Sequence, residues 1–99
     1  MITNISQQIF IVSPDPQTVF QITPRLPRAS QQIPFRTVAA QSVQAITYVL
    51  DRQALPAVTT EPFEYWWVLQ PGTHTLHAEA QLLNGQSVRS AEIQFSVNP

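Results

Sequence analysis

The sequence predicts an all-β protein built from two antiparallel sheets packed face to face, and three observations carry that prediction. Nine prolines recur along the 99 residues, at 14, 16, 24, 27, 34, 56, 62, 71 and 99. Proline interrupts helix interiors, so long helices are excluded over much of the chain. Between the prolines stand short runs rich in Val, Ile, Thr and aromatic residues, several of them alternating apolar and polar, which is the period of a half-buried strand. Turn signals separate the runs: Ser13-Pro14-Asp15-Pro16, Pro71-Gly72 and Asn84-Gly85.

The elements follow in order. Gln8–Val12 is the first strand, closed by the Ser-Pro-Asp-Pro turn, and Thr18–Ile22 is the second, closed by Pro24. Arg25–Gln31 is polar and bounded by proline, hence a loop. Gln32–Val38 is the third strand, with Ile33, Phe35 and Thr37 on one face. Pro34 lacks a ladder donor and points to an edge or a bulged start. Ala45–Leu50 places Ile46, Tyr48 and Leu50 together, and Asp51-Arg52-Gln53 turns into a short return at Ala54-Leu55. After a second loop, Phe63–Leu69 alternates Phe63, Tyr65, Trp67 and Leu69 with Glu64, Trp66, Val68 and Gln70.

Beyond Pro71-Gly72, His74, Leu76, Ala78, Ala80 and Leu82 alternate with Thr75, His77, Glu79 and Gln81. Asn84-Gly85 signals a type I′ hairpin, in which both central residues take positive φ. Ala91–Val97 closes the set with Ala91, Ile93, Phe95 and Val97 inward. Val88 falls on the opposite parity, which predicts a bulge near Arg89–Ser90. Strand number and spacing match an Ig-like antiparallel β-sandwich of about seven strands, one domain over residues 1–99. The expected core is Ile33, Phe35, Ile46, Tyr48, Leu50, Trp67, Leu69, Leu76, Ala78, Ala80, Ile93, Phe95 and Val97.

Composition narrows function by exclusion. Apolar residues make up 43% of the chain and charged residues 11%; five Arg and no Lys stand against six acids, for a net charge of −1. That balance gives no electrostatic ground for binding nucleic acid or an anionic membrane. Without cysteine there is no disulfide, thiol nucleophile or thiolate metal site. Without lysine there is no P-loop lysine, Schiff base or Ser-x-x-Lys motif. Two glycines make no phosphate loop, no apolar run reaches 18 residues, and the N-terminus does not read as a secretory signal. The thirteen glutamines are scattered rather than tracted. The abrupt ending at Val97-Asn98-Pro99 reads as the end of a module cut from a longer chain.

The candidate site residues are few. His74 and His77 are three apart and point to opposite faces of a strand. His74 therefore reads as a structural histidine bonding backbone across a corner rather than as a metal ligand. His77 and Glu79 share a face with no third ligand nearby in sequence, which reads as a solvated pair. Glu61 and Glu64 do not converge as a glycosidase pair must. None of the seven serines lies in a nucleophile elbow. No residue is assigned to catalysis, a cofactor or a metal.

Arg25 and Arg28 flank a loop and read as solvated. Asn4-Ile5-Ser6 matches a glycosylation pattern but sits near a chain end and carries no weight. Trp67 belongs to the core. Trp66 is the residue singled out for ligand or partner contact, with its polar parity neighbours Glu64 and Gln70 as further candidate contacts. It either faces solvent, free to stack on a sugar or a protein, or packs under a loop or an adjoining domain. Two or three coplanar outward rings, with Tyr65 among them, would mark a carbohydrate-binding module.

Several blocks occur in a telling order: Ile11-Val12-Ser13-Pro14-Asp15, Phe20-Gln21-Ile22-Thr23-Pro24, Gln32-Ile33-Pro34-Phe35-Arg36, Ile46-Thr47-Tyr48-Val49-Leu50-Asp51, Trp67-Val68-Leu69-Gln70-Pro71-Gly72-Thr73-His74-Thr75-Leu76 and Phe95-Ser96-Val97. Together they resemble the C-terminal domain of bifunctional penicillin-binding proteins of the 1C class, from about Ile9 to Val97. The sequence departs from that family at Tyr48, where Trp is frequent, and at Asp51-Arg52, where Asp-Gly is frequent. The resemblance implies a non-catalytic accessory module of a peptidoglycan glycosyltransferase/transpeptidase, outside the cytoplasmic membrane. It implies as partners the other domains of the parent chain, peptidoglycan, or an alpha-2-macroglobulin-like surface protein. A carbohydrate-binding module using Trp66 and a structural spacer in a surface protein are the alternatives.

Overall fold

A computed structural model describes residues 8–99 of the chain. Among the described residues nine strands form two sheets: β1 (Ile9–Ser13), β2 (Val19–Gln21), β3 (Gln32–Ala39), β4 (Val43–Leu50), β5 (Gln53–Ala54), β6 (Tyr65–Val68), β7 (Gly72–Leu82), β8 (Ser87–Arg89) and β9 (Ile93–Asn98). The smaller sheet has the order β1-β3-β6; the larger runs β2-β9-β7-β4-β5, with β8 also paired to β7. This is the Ig-like sandwich read from the sequence. All seven expected strands are present; β5 is the short return expected after β4, one residue earlier than read, and β8 is an addition.

The core between the sheets is aromatic. Phe35 is fully buried and packs against Tyr48, Trp67 and Phe95 with ring centroids 5.7, 5.6 and 6.1 Å away. Eleven of the expected core residues are buried, while Ile33 and Ile93 are only partly so. Both lie near strand ends, where the opposing sheet covers less of the side chain. Ile9, Leu82 and Val88 complete the core.

Four local expectations are corrected. β2 runs parallel to β9, Val19 opposite Ser96, so the sandwich is not wholly antiparallel. Pro34 lies in the central strand of its sheet, not at an edge. Its carbonyl accepts a hydrogen bond from the Ser13 hydroxyl at 2.8 Å, and Ser13 opposite Arg36 is the last β1–β3 pair. A residue's N and C=O leave a strand on the same side, so the missing donor falls where the ladder has already ended.

The β7–β8 hairpin does not use a type I′ turn. Only Gly85 takes positive φ, at 90°, and Leu82 N–H bonds to Gln86 O at 2.8 Å. This is a three-residue loop ending in a left-handed glycine. The fourth correction concerns the loop arginines. Arg28 is in a 3₁₀ turn (Arg28–Ser30), and its Nε donates to Leu69 O at 3.0 Å, tying the loop to the end of β6.

The bulge near Ser90 is present. Ala80 pairs with Val88 but Leu76 pairs with Ile93, a register offset of one residue. The buried Ser90 hydroxyl accepts from Ala78 N–H at 2.9 Å and donates to Ala91 O at 2.9 Å. It supplies the acceptor that the broken ladder withholds from β7.

Candidate functional site

Trp66 and Trp67 are neighbours with opposite fates. Trp67 is buried against Phe35, His74 and Phe95. Trp66 is 53% exposed and opposes Pro34 on the outer face of the small sheet. Strand alternation puts three more large apolar side chains on that face. Phe10, 51% exposed, lies opposite Val38, 56% exposed, and Val12, 48% exposed, follows on β1. Together the four offer on the order of 400 Å² of apolar surface, within the range of the largest patch on a monomer, which is often functional.

Glu64 lies beside Trp66 but forms an ion pair with Arg36, which occupies the middle of this face. Gln70 is past the end of β6, and its backbone carbonyl is taken by His74. The face therefore joins Trp66 and Glu64 but adds Phe10, Val12, Arg36 and Val38, which were read only as strand residues. The signal for them was parity: Phe10 and Val12 alternate with Ile9 and Ile11, and one set of such an alternating apolar run must face out.

The face is not a stacking platform. Trp66 and Phe10 stand on opposite edge strands, four residues apart in register along β3, on the order of 13 Å along the strand. Tyr65 is turned inward, stacked on Phe35 at 6.3 Å.

The histidines behave differently from each other. His74 is buried, with Nε2 donating to Gln70 O at 2.8 Å and Nδ1 2.7 Å from the Asp51 carboxylate. It is the structural corner histidine expected, with Asp51 as an added partner. His77 sits 2.9 Å from Glu79, but the pair is not fully solvated, because the histidine is buried on the outer side of the large sheet. No group of three His, Cys, Asp or Glu residues able to hold a metal occurs among the described residues.

Tyr48 is buried, and its hydroxyl donates to Phe63 O at 2.8 Å. Burial pushes its phenol above the ordinary tyrosine value. Asn4-Ile5-Ser6 lies outside the described residues. No helix among the described residues is long and apolar enough to cross a membrane.

No protein-family model matches the chain, and no curated protein matches it. Solved structures do. The fibronectin(III)-like modules of Clostridium thermocellum CbhA are 18% identical with a TM-score of 0.73, over 91% of this chain and 94% of that one. Bacteroides ovatus SGBP-B, of a mixed-linkage glucan utilization locus and solved with a mixed-linkage heptasaccharide, is 18% identical with a TM-score of 0.57. It covers all of this chain, which spans only 25% of it. CopC from Methylosinus trichosporium OB3b is 16% identical with a TM-score of 0.53, over 92% and 94% of the two chains. At such identities the likeness concerns architecture, and on it the chain has a fibronectin III-like β-sandwich fold.

Proposed function

We propose that this chain is a non-catalytic module that docks an adjoining folded domain on the outer face of its three-stranded sheet, with Trp66 at the contact. The observation that carries the reading is the grouping of Phe10, Val12, Val38 and Trp66 on one face around the Arg36–Glu64 pair. A central apolar patch broken by a satisfied ion pair suits a flat protein surface. The spacing of the rings does not suit a sugar chain, which needs stacked neighbours. The similar unit of SGBP-B is a quarter of its chain, so this fold occurs there beside other parts, and interfaces between neighbouring domains are of this modest size.

The ordered blocks from Ile11 to Val97 support a narrower form of the reading: an accessory module of a peptidoglycan-synthesising penicillin-binding protein, held outside the cytoplasmic membrane against another domain of its own chain. None of the three solved structures is a penicillin-binding protein, so this narrower form rests on the sequence blocks alone.

The test is photo-crosslinking from within the face. A benzophenone amino acid replaces Val38 in the full-length protein in its native cells, with Gln81 on the opposite sheet as control. The expected product is a position-38 crosslink to a defined peptide of a folded domain, absent from the control. Equal yields at both positions, no crosslink, or adducts only to glycan would overturn the proposal.

A further inference from the structure

A cleft of about 280 Å³ opens at one end of the sandwich, between the β3–β4 turn and the segment leading into β6. It is separate from the outer apolar face. The nearly buried Ile46 lies at its floor, Val43 and Phe63 form an apolar wall, and Thr37, Gln41, Ser42 and Glu61 its polar rim. The volume falls just under that of drug-sized pockets and suits a single long side chain.

The wall is held rigidly. Phe63 takes a φ of 60°, a conformation that non-glycine residues seldom adopt. It is fixed there from both sides: its N–H donates to Thr60 O at 2.9 Å, and its carbonyl accepts from the buried Tyr48 hydroxyl at 2.8 Å. Behind the floor, Ile46 and Val58 exchange two backbone hydrogen bonds of 2.9 and 2.8 Å. Strain retained at a pinned residue is a feature of ligand clamps.

The electrostatics choose the ligand. Glu61 is exposed and makes no ion pair or hydrogen bond among the described residues. Arg36 is already engaged by Glu64. The cleft thus presents one carboxylate, two hydroxyls, one carboxamide and an apolar wall, with no cation of its own. Those groups complement a cation carried on an aliphatic stem: the stem lies along Val43 and Phe63, and the charge meets Glu61. We infer that this cleft binds a single arginine or lysine side chain, or the equivalent alkylguanidinium or alkylammonium group.

The experiment is a titration of the ¹⁵N-labelled chain with N-acetyl-arginine methylamide and N-acetyl-lysine methylamide, followed by amide shifts. The neutral norleucine analogue and glucose serve as controls. Saturable shifts are expected at Ser42–Val43 and Glu61–Phe63 with the cationic probes, weakening at least tenfold in Glu61→Gln. That side chain is exposed and unbonded, so the variant keeps the fold, and its undisturbed spectrum verifies this. Absence of saturable shifts, equal binding of norleucine or glucose, or unchanged affinity in Glu61→Gln would each overturn the inference.

Discussion

The carboxylate of Asp51 lies 2.7 Å from His74 Nδ1 through one oxygen and accepts Thr75 N–H at 2.9 Å through the other. It therefore clamps the start of β7 to the two-residue turn between β4 and β5, where Asp51 and Arg52 take φ of 51° and 68°. The Gln70 carbonyl can only accept, so the ring carries a hydrogen on Nε2. Asn in place of Asp51 can then donate to Nδ1, accept from Thr75 and tolerate the left-handed backbone. Urea unfolding of Asp51→Asn is expected within about 1 kcal/mol of the parent. Asp51→Ala, which loses both bonds and the backbone preference, is expected to lose about 2–3 kcal/mol. Equal losses would refute the clamp.

Tyr48 gives a pH-dependent outcome. Its folded phenol ionises above the ordinary value near 10 because burial disfavours the anion. The unfolded chain gives up that proton first, so the stability this contributes is intact below pH 10. It is lost as pH rises from there through the folded value. Tyr48→Phe is expected to cost about 1 kcal/mol at pH 8, through the lost bond to Phe63 O. It is also expected to flatten the fall in stability above about pH 10 that unfolding curves of the parent show.

The bulge hydroxyl has a specific cost. Ser90→Ala leaves Ala78 N–H without its acceptor inside the sandwich, a loss of about 1–3 kcal/mol. Thermal unfolding and hydrogen exchange at Ala78 measure it; unchanged protection of that amide would show that the hydroxyl is dispensable.

Adjacent tryptophans separate surface from core. Trp66→Ala is expected to leave stability within about 0.5 kcal/mol, whereas Trp67→Ala is expected to lose about 3–5 kcal/mol. Acrylamide quenching gives an independent check, since the accessible emission disappears in Trp66→Phe and persists in the parent. Comparable destabilisation by both Ala variants would contradict the placement of Trp66.

Strand identity was legible because one face of each strand is buried: the alternation through His74–Leu82 and Ala91–Val97 states which side chains meet the core, and a parity break located the bulge. What alternation does not encode is which strand lies beside which. The parallel pairing of β2 with β9 and the central position of β3 are long-range facts, and Pro34 misled because its missing donor faces a place where the ladder has already stopped. The turn at Asn84-Gly85 was legible as a hairpin but not as a type, since Gly85 serves a three-residue loop equally well. At the site, Trp66 was visible from its polar flanks. The rest of the face was not, because Phe10, Val12 and Val38 sit in apolar runs whose outward members look like core.

The parallel pair of β2 and β9 has a mechanical consequence. The two strands belong to opposite ends of the chain and run in the same direction. Tension that reaches the pair from both sides therefore drags one along the other, and their bonds, Ser96 N–H to Thr18 O and Ile22 N–H to Asn98 O, each 2.9 Å, bear the load together in shear instead of opening one after another like a zip. A sandwich closed this way resists being drawn out lengthwise far better than its three-residue strand suggests, a property suited to a link under tension.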